Sequence, residues 1–555
     1  MGASRASAAG AGRAKRVRRR TVGLVLVVIA SAASSLPAAP ALPAIDFAAV
    51  ACSMSFEMVE RARNAWNDDR GPELMWFPRE PDFVGSGLPH VGAWDYIQHI
   101  PMFWYGPGHI VPQGPVAGEV TLADVAPTHA ALARFPFEAP DGTEMSAALL
   151  PTAGTPRPRL IVTVVWDAVG RNVLAEHQGR WPFLESLISQ GTWYENAYVG
   201  YSPSSTAQAH ATIGTGAFPA HHGLLGHHLR VGGTLTTPWR NGPSFFVLPT
   251  FADLYDRAMG NEPMVGIVGT LDIHFGMMSH GAFWHGGDRD IALTRTRGGG
   301  SFTLGEEGSV WNLEAGYTRF YELAGYANEV PGFGQDKAAL DRLDGALDGR
   351  WGDDDIEQLL FGFNTPARSP YQERVIEQVV RRERFGRDRI PDLLFTNFKV
   401  TDYISHAFSM NSEEMGDAIE WQDAALRELV AFLNETVGEG EWVMALTADH
   451  ASMPDPSTTG AFQISTGVAE RVLNERFDLD DDGRPAVQLV HPTAVFVDEE
   501  ELAEHGATVD DLAWYAMTLT KAEVTGKGVV PPPGTEDDPA FPWAFPSRVL
   551  QGLAC

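Results

Sequence analysis

Residues 160–167 read LIVTVVWD. An apolar, β-branched run without alternation predicts a strand buried on both faces, and such strands belong to parallel sheets covered by helices. The run ends on Asp167. Two later stretches repeat the pattern: DLLFTNF (392–398), followed by KVTDYISH, and EWVMALT (441–447), followed by ADH. Between them MGDAIEWQDAALRELVAFLNETV (415–437) has helical periodicity. Strands alternating with helices predict an α/β fold, a parallel-rich central sheet flanked by helices.

Ligands of open α/β sheets bind beyond the carboxyl ends of the strands. Asp167, Asp402, His406, Asp449 and His450 should therefore meet at one sheet edge. Three packed carboxylates repel one another, and burying them unpaired is costly; a divalent cation removes both problems. Mixed Asp/His ligation favours zinc or a similar transition metal over calcium or magnesium. Taken singly, an Asp after a strand is ordinarily a cap or turn residue, and Asp-x-x-x-His ordinarily a surface pair. The coincidence of three strand ends points to a shared metal site. YSPSSTAQAHATIGTG (201–216) sets Ser202, Ser204, Ser205, Thr206 and Thr212 in a glycine-ended segment leading into a helix. It reads either as a polar loop with a capping hydroxyl or as a source of a nucleophile, since metal coordination activates an alcohol.

The chain has 555 residues, 44% hydrophobic, enough for a large core, and a formal charge of −30. Residues 1–41 hold a basic RAKRVRRR, a short apolar TVGLVLVVIASAA and small-residue cleavage sites, the pattern of a secretory signal peptide. Loss of their seven cationic residues takes the charge from −30 to −37. Such a surface repels nucleic-acid backbones and anionic membranes, and no stable membrane span is expected after signal cleavage. A small phosphorylated substrate in a metal-lined cleft remains compatible. The two cysteines, Cys52 and Cys555, form no CxxC motif, which excludes a thiolate zinc site. LPTAGTPRP (150–158) reads as a linker, and 275–310, rich in Gly, Met and His, as a surface loop or lid.

VVWDAVGRN, SSTAQAHATIGTGAFPAHHGLLGH, FKVTDYISHAF and LTADHAS, in that order, resemble the alkaline phosphatase superfamily, in its type I phosphodiesterase/nucleotide pyrophosphatase branch. The resemblance covers most of residues 160–520. It implies two divalent metal ions, zinc in this family, and an alkoxide nucleophile that takes up the phosphoryl group. By its motifs Thr206, four residues before His210, is the nucleophile. Asp167, Thr206, Asp449 and His450 hold one metal, and Asp402 and His406 begin the other. The family's third histidine for that second metal comes late in its chain, followed eleven residues on by a proline and then by YGPG. Here neither His491 nor His505 fits, but His90 does: Pro101 lies eleven residues on and MFWYGPG follows.

The resemblance thus implies a circular permutant. Residues 42–150 are the family's C-terminal block, carrying His90, and 151–555 the main catalytic region, both folding as one domain. New termini made by permutation should be neighbours, so a Cys52–Cys555 disulfide is expected; a lipoprotein signal ending at Cys52, or two incidental thiols, are the alternatives.

Two departures bear on substrate. HGLLGHH puts His227 where relatives place an asparagine that contacts a phosphoryl oxygen; it reads equally as a substrate contact or a loop histidine. The Lys-x-Arg pair that grips dianionic phosphate in the superfamily's monoesterases is missing from GTLDIHFGMMSHGAFWHGG (269–287). This favours diesters or pyrophosphates, with a phosphomonoesterase or a non-catalytic secreted metal-binding protein as alternatives. No sulfatase C/S-x-P-x-R motif is present. DLDDDG (478–483) opens like a calcium loop but has Leu489 where a bidentate glutamate is needed, and reads as a polar hairpin tip.

Overall fold

In the computed structural model, which describes residues 45–555 apart from 86, 152, 242–244, 280–286, 296–310, 360–363 and 481, the apolar runs assemble into one nine-stranded sheet. The strands that matter here are Leu74–Phe77 (β1), Met102–Tyr105 (β2), Gly114–Thr121 (β3), Leu160–Trp166 (β4), Thr192–Tyr198 (β5), Val265–Val268 (β6), Asp290–Leu293 (β7), Tyr321–Glu322 (β8), Asp392–Phe398 (β9), Trp442–Thr447 (β10), Val487–His491 (β11), Ala494–Val497 (β12) and Trp543–Pro546 (β13). The large sheet runs β8-β7-β6-β9-β4-β10-β2-β5-β3. Only β2 runs against its neighbours. The register pairs Phe398 with Trp166 and Thr447 with Val165, so β9, β4 and β10 end level.

The unbroken hydrophobicity of β4 follows from cover on both faces. Val162 and Val164 pack on one side with helices Arg368–Glu383 and Glu413–Leu433. Ile161 and Val165 pack on the other, with helices Val125–Ala133 and Thr206–Thr215. We label four helices, in chain order: α1, Val125–Ala133; α2, Thr206–Thr215; α3, Val400–Phe408; and α4, Glu413–Leu433. A smaller antiparallel sheet, β11-β12-β1-β13, unites the early β1 with late strands on both sides.

Residues 45–555 form one compact unit. The 42–150 stretch gives β2 and β3 to the large sheet and β1 to the small one, so its described part has no core of its own. Of the stretch read as a lid, 280–286 and 296–310 lie outside the described residues, as does the signal segment 1–41. The remainder is more regular than expected. A tight turn, Asp272–Met277, packs under α2, and buried β7 extends the parallel sheet. β7 escaped notice because it is only four residues long, among glycines. Among the described residues no helix is long and apolar enough to cross a membrane.

Cys52 and Cys555 are bridged, their Cα atoms 5.4 Å apart across a sequence separation of 503. A cross-link stabilises chiefly by restricting the unfolded chain, typically by about 2–4 kcal/mol. Cys555→Ser is expected to lower the denaturation midpoint. Alkylation without reductant should label no thiol in the wild type and one in the variant.

Candidate active site

Level strand ends place the predicted residues together. Asp167 follows β4, Asp402 lies in the first turn of α3 after β9, and Asp449 and His450 follow β10. All four are buried. The backbone is bent to hold them: Ala168 has φ +64°, a left-handed conformation unfavourable for a residue with a Cβ. In it the Ala168 N–H donates to Asp449 Oδ1 at 3.1 Å, and Ser452 Oγ donates to the Ala168 carbonyl at 2.7 Å.

Thr206 is the first residue of α2, after Ser205. Its Oγ1 lies 3.3 Å from His450 Nε2 and 3.0 Å from Lys399 Nζ. Ser202 and Ser204 are buried beside it, and Thr212 faces His222 at 3.2 Å; of the five hydroxyls it is Thr206 that meets the carboxylate cluster. Glycine fixes the helix's position. A Cβ on Gly214 would lie 2.4 Å from Gly276 O, and one on Gly276 2.6 Å from Ala211 N. Only this glycine pair lets the 272–277 turn lie flat against α2.

His90 arrives from a distant part of the chain. Its Nε2 is 3.3 Å from Asp402 Oδ1, and its ring centroid is 5.0 Å from that of His406 and 3.6 Å from that of His450. The loop is held by reciprocal contacts: Ser204 Oγ donates to His90 O, and His406 Nδ1 reaches Leu88 O at 2.9 Å. His227 is exposed and lines a cavity with Ser205, His90 and His406.

The histidine tautomers follow from these bonds. Nδ1 of His450, His406 and His90 each face a backbone carbonyl, of Ala451 (3.1 Å), Leu88 (2.9 Å) and Ser204 (3.4 Å). Each Nδ1 is therefore the protonated nitrogen, and each Nε2 turns a lone pair toward the carboxylates, the arrangement of metal-ligating histidines. Two donor sets result: Asp167, Asp449 and His450, and His90, Asp402 and His406. In each, one buried carboxylate oxygen, Asp449 Oδ2 and Asp402 Oδ1, has no hydrogen-bond donor. The residues present fit a cation in both places.

A third cluster, Asp167, His210 and His274, differs. His274 Nδ1 accepts from the N–H groups of Thr270 (3.0 Å) and Leu271 (3.4 Å), so its proton sits on Nε2, 3.8 Å from Asp167 Oδ2. His210 Nδ1 donates to Thr206 O at 2.8 Å, and its Nε2 accepts from Asn397 Nδ2 at 3.0 Å. Asn397 Nδ2 also donates to Asp167 Oδ2 at 2.8 Å. This set is a hydrogen-bonded brace joining the Thr206 backbone to Asp167.

The sequence reading missed Lys399. Its ammonium donates to Asp167 Oδ1 and Asp402 Oδ2, both at 2.9 Å, as well as to Thr206. Its placement three residues before Asp402 was the available signal. Asn397 and His274 left none, because support residues obey no fixed spacing. Burial and then Asp449 push the Asp167 carboxyl well up, and burial pushes Asp449 up to about 6. Burial would raise Asp402 as well, but Lys399 and His406 outweigh it and hold it well below the usual carboxylate range. Burial lowers His450 to about 3, and burial with His450 lowers His90. Burial opposes protonation of His406 and Lys399, yet Asp402, joined for Lys399 by Asp167, raises both. The DLDDDG tip places Asp478 and Asp480 near His505, with Arg484 ion-paired to Glu501 at 3.4 Å.

The fold and its sheet-edge cluster define a phosphoric ester hydrolase of the alkaline phosphatase superfamily. More particularly, the chain belongs to the type I phosphodiesterase / nucleotide pyrophosphatase family, whose model matches residues 161–533. It is 22% identical over 470 residues to "Alkaline phosphatase PafA" of Elizabethkingia meningoseptica, covering 72% of this chain and 80% of that protein. It is 21% identical over 460 residues to a Myroides odoratus protein named "Calcium-transporting ATPase", covering 73% and 81%. The crystal structure of wild type alkaline phosphatase PafA matches with a TM-score of 0.52 and 20% identity over 66% of this chain and 77% of that one, a likeness of fold.

Outer partners of metal ligands typically affect affinity about 10–100-fold. Asn397→Ala, which removes a donor to Asp167 and to His210, is expected to weaken divalent-ion binding by that factor in a competition titration against a zinc-responsive dye.

Proposed function

We propose that the protein is a secreted hydrolase of small phosphodiesters or pyrophosphates that acts through a phosphothreonine at Thr206. The observation that carries this reading is the position of Thr206 Oγ1, beside His450 Nε2 and against a sheet edge with two donor sets whose histidines present lone pairs. Asp167, Thr206, Asp449 and His450 would hold one zinc ion, and Asp402, His406 and His90 a second. When bound, such a pair supplies positive charge to both oxygens of an in-line displacement.

The chain's own groups account for the rest. Thr206, its hydroxyl proton lost to solvent, forms a bond from Oγ1 to phosphorus as the phosphorus–oxygen bond to the leaving group breaks, and the leaving group departs as an alcohol or phosphate that takes a proton from solvent. Water then cleaves the threonine ester, releasing the phosphorylated product and restoring the hydroxyl. A phosphoryl group bonded to Thr206 would sit at the N-terminus of α2, where a helix start favours negative charge. Lys399 stabilises charge developing on Thr206 Oγ1, an interaction of the kind that strengthens in the transition state. His227, exposed in the cavity lining beside Ser205, would be the side chain to contact a phosphoryl oxygen.

Lys399 also favours a second reading, the phosphomonoesterase, because it supplies a cation at the nucleophile. Its charge is already met by Asp167 and Asp402, which leaves less for a dianionic phosphate and keeps the diester reading ahead. Secretion is supported by the sequence pattern of residues 1–41 and by the terminal disulfide, a bond of oxidising compartments. Permutation is supported by the bridged termini, by β2 lying between β10 and β5, and by the meeting of His90 with Asp402.

The metal-loaded protein is expected to hydrolyse bis-p-nitrophenyl phosphate faster than p-nitrophenyl phosphate. A chelator should abolish the activity and zinc restore it, and Thr206→Ala should lower it by about 10³-fold or more. A monoester preference would favour the phosphatase reading, and no metal-dependent turnover a non-catalytic metal-binding protein. Lys399→Met is expected to reduce kcat by about 10²–10³-fold with a smaller change in KM, the metal content being measured alongside.

A further inference from the structure

We propose that the cavity beside Thr206 seats one esterified alcohol of the substrate, and that this alcohol is uncharged and apolar, an aryl or alkyl group. The inference rests on the phosphodiesterase reading above and narrows its substrate. The cavity has a volume of about 290 Å³, near the lower end for small-ligand sites. One end is formed by His90, His406 and Ser205, the metal-ligand candidates and the residue before the nucleophile. An ester whose phosphorus sits at Thr206 therefore has a direct path for one substituent into it.

Apart from the exposed His227 and from His491, the remaining walls are apolar and come from parts of the chain far apart in sequence. Trp66 and Met75 come from the N-terminal block, Leu225 from the segment after α2, and Phe496 from β12. Met75, Leu225 and Phe496 are themselves buried, and Pro72, Pro89 and Pro203 stiffen the rim. Among the described residues lining it there is no Asp, Glu, Lys or Arg. The deep polar side chain, His491, is engaged by His228 at 3.1 Å, and burial keeps it neutral, lowered to about 4. A second phosphate or a carboxylate placed here would be desolvated without a counter-charge, whereas an apolar group is drawn in.

The test uses the metal-loaded full chain and a series of p-nitrophenyl phosphodiesters whose second group is methyl, butyl, hexyl or phenyl, with the p-nitrophenyl ester of thymidine 5′-phosphate for comparison. Each buried methylene is worth about fourfold, attenuated where burial is partial. The expected result is a kcat/KM that rises at least tenfold from methyl to the best of the larger groups, with the thymidine ester no better than phenyl. Phe496→Ala and, as a half-exposed alternative less able to disturb folding, Trp66→Ala should flatten the series. A flat or falling series in the wild type, or a thymidine ester tenfold better than phenyl, overturns the inference while leaving the hydrolase intact. If no ester in the series is cleaved, the phosphodiesterase reading fails and this inference fails with it.

Discussion

The mutual repulsion of three buried carboxylates governs this structure. Asp167, Asp402 and Asp449 close on one point at the ends of adjacent strands, all shielded from water. A single ammonium, Lys399, answers three negative charges, and it touches only two of the carboxylates. His90 and His450 do not supply the balance, since burial depresses both and their Nε2 atoms offer lone pairs; His406 is raised, but by its neighbour Asp402. Burial, joined for Asp167 by the neighbouring Asp449, displaces the Asp167 and Asp449 carboxyls upward. An unpaired buried charge is among the most expensive features a fold can carry. Together with the orphaned oxygens of Asp402 and Asp449, the cluster has the donor chemistry that suits a cation.

Such a cluster is tolerable only on a scaffold that cannot relax away from it. Three parallel strands with level ends and apolar cover on both faces provide one. The details around the cluster resist relaxation too: the left-handed Ala168 clamped by Asp449, the glycine pair pressing the 272–277 turn onto α2, and the Asn397–His210 bridge that ties Asp167 to the Thr206 backbone. The N-terminal block belongs to this scaffold. Its β2 completes the sheet beside β10, its loop delivers His90, and the disulfide joins its start to the chain's end.

Parts of this were open to sequence reading for definite reasons. β4, β9 and β10 announce themselves because burial on two faces removes the alternation of a one-sided strand, and Asp167, Asp402 and Asp449 stand at their ends. His90 was reachable only through motif resemblance, because no local pattern marks a histidine in a glycine-rich loop. The small sheet was not legible: β1 must find partners more than four hundred residues away, and pairing over such a distance leaves no periodic trace in either segment. Asn397 and His274 were hidden for another reason. A residue that braces a site is chosen by the shape of the folded cluster, so its position in sequence follows no rule.

Charge and cavity together restrict what can reach Thr206. The surface carries a strong net negative charge, which slows the approach of polyanions and favours substrates with few charges. A phosphodiester with uncharged substituents bears one negative charge, fewer than a monoester or a pyrophosphate presents. Cations held at the sheet edge would meet that charge locally, and on the proposed reading the cavity beyond His406 would receive the uncharged substituent. A second phosphate would have to cross an acidic exterior and then lie against Met75, Leu225 and Phe496, with no Lys or Arg among the residues lining the cavity. On the proposed reading the surface and the cavity would select in the same direction, one by repulsion at long range and the other by desolvation on contact.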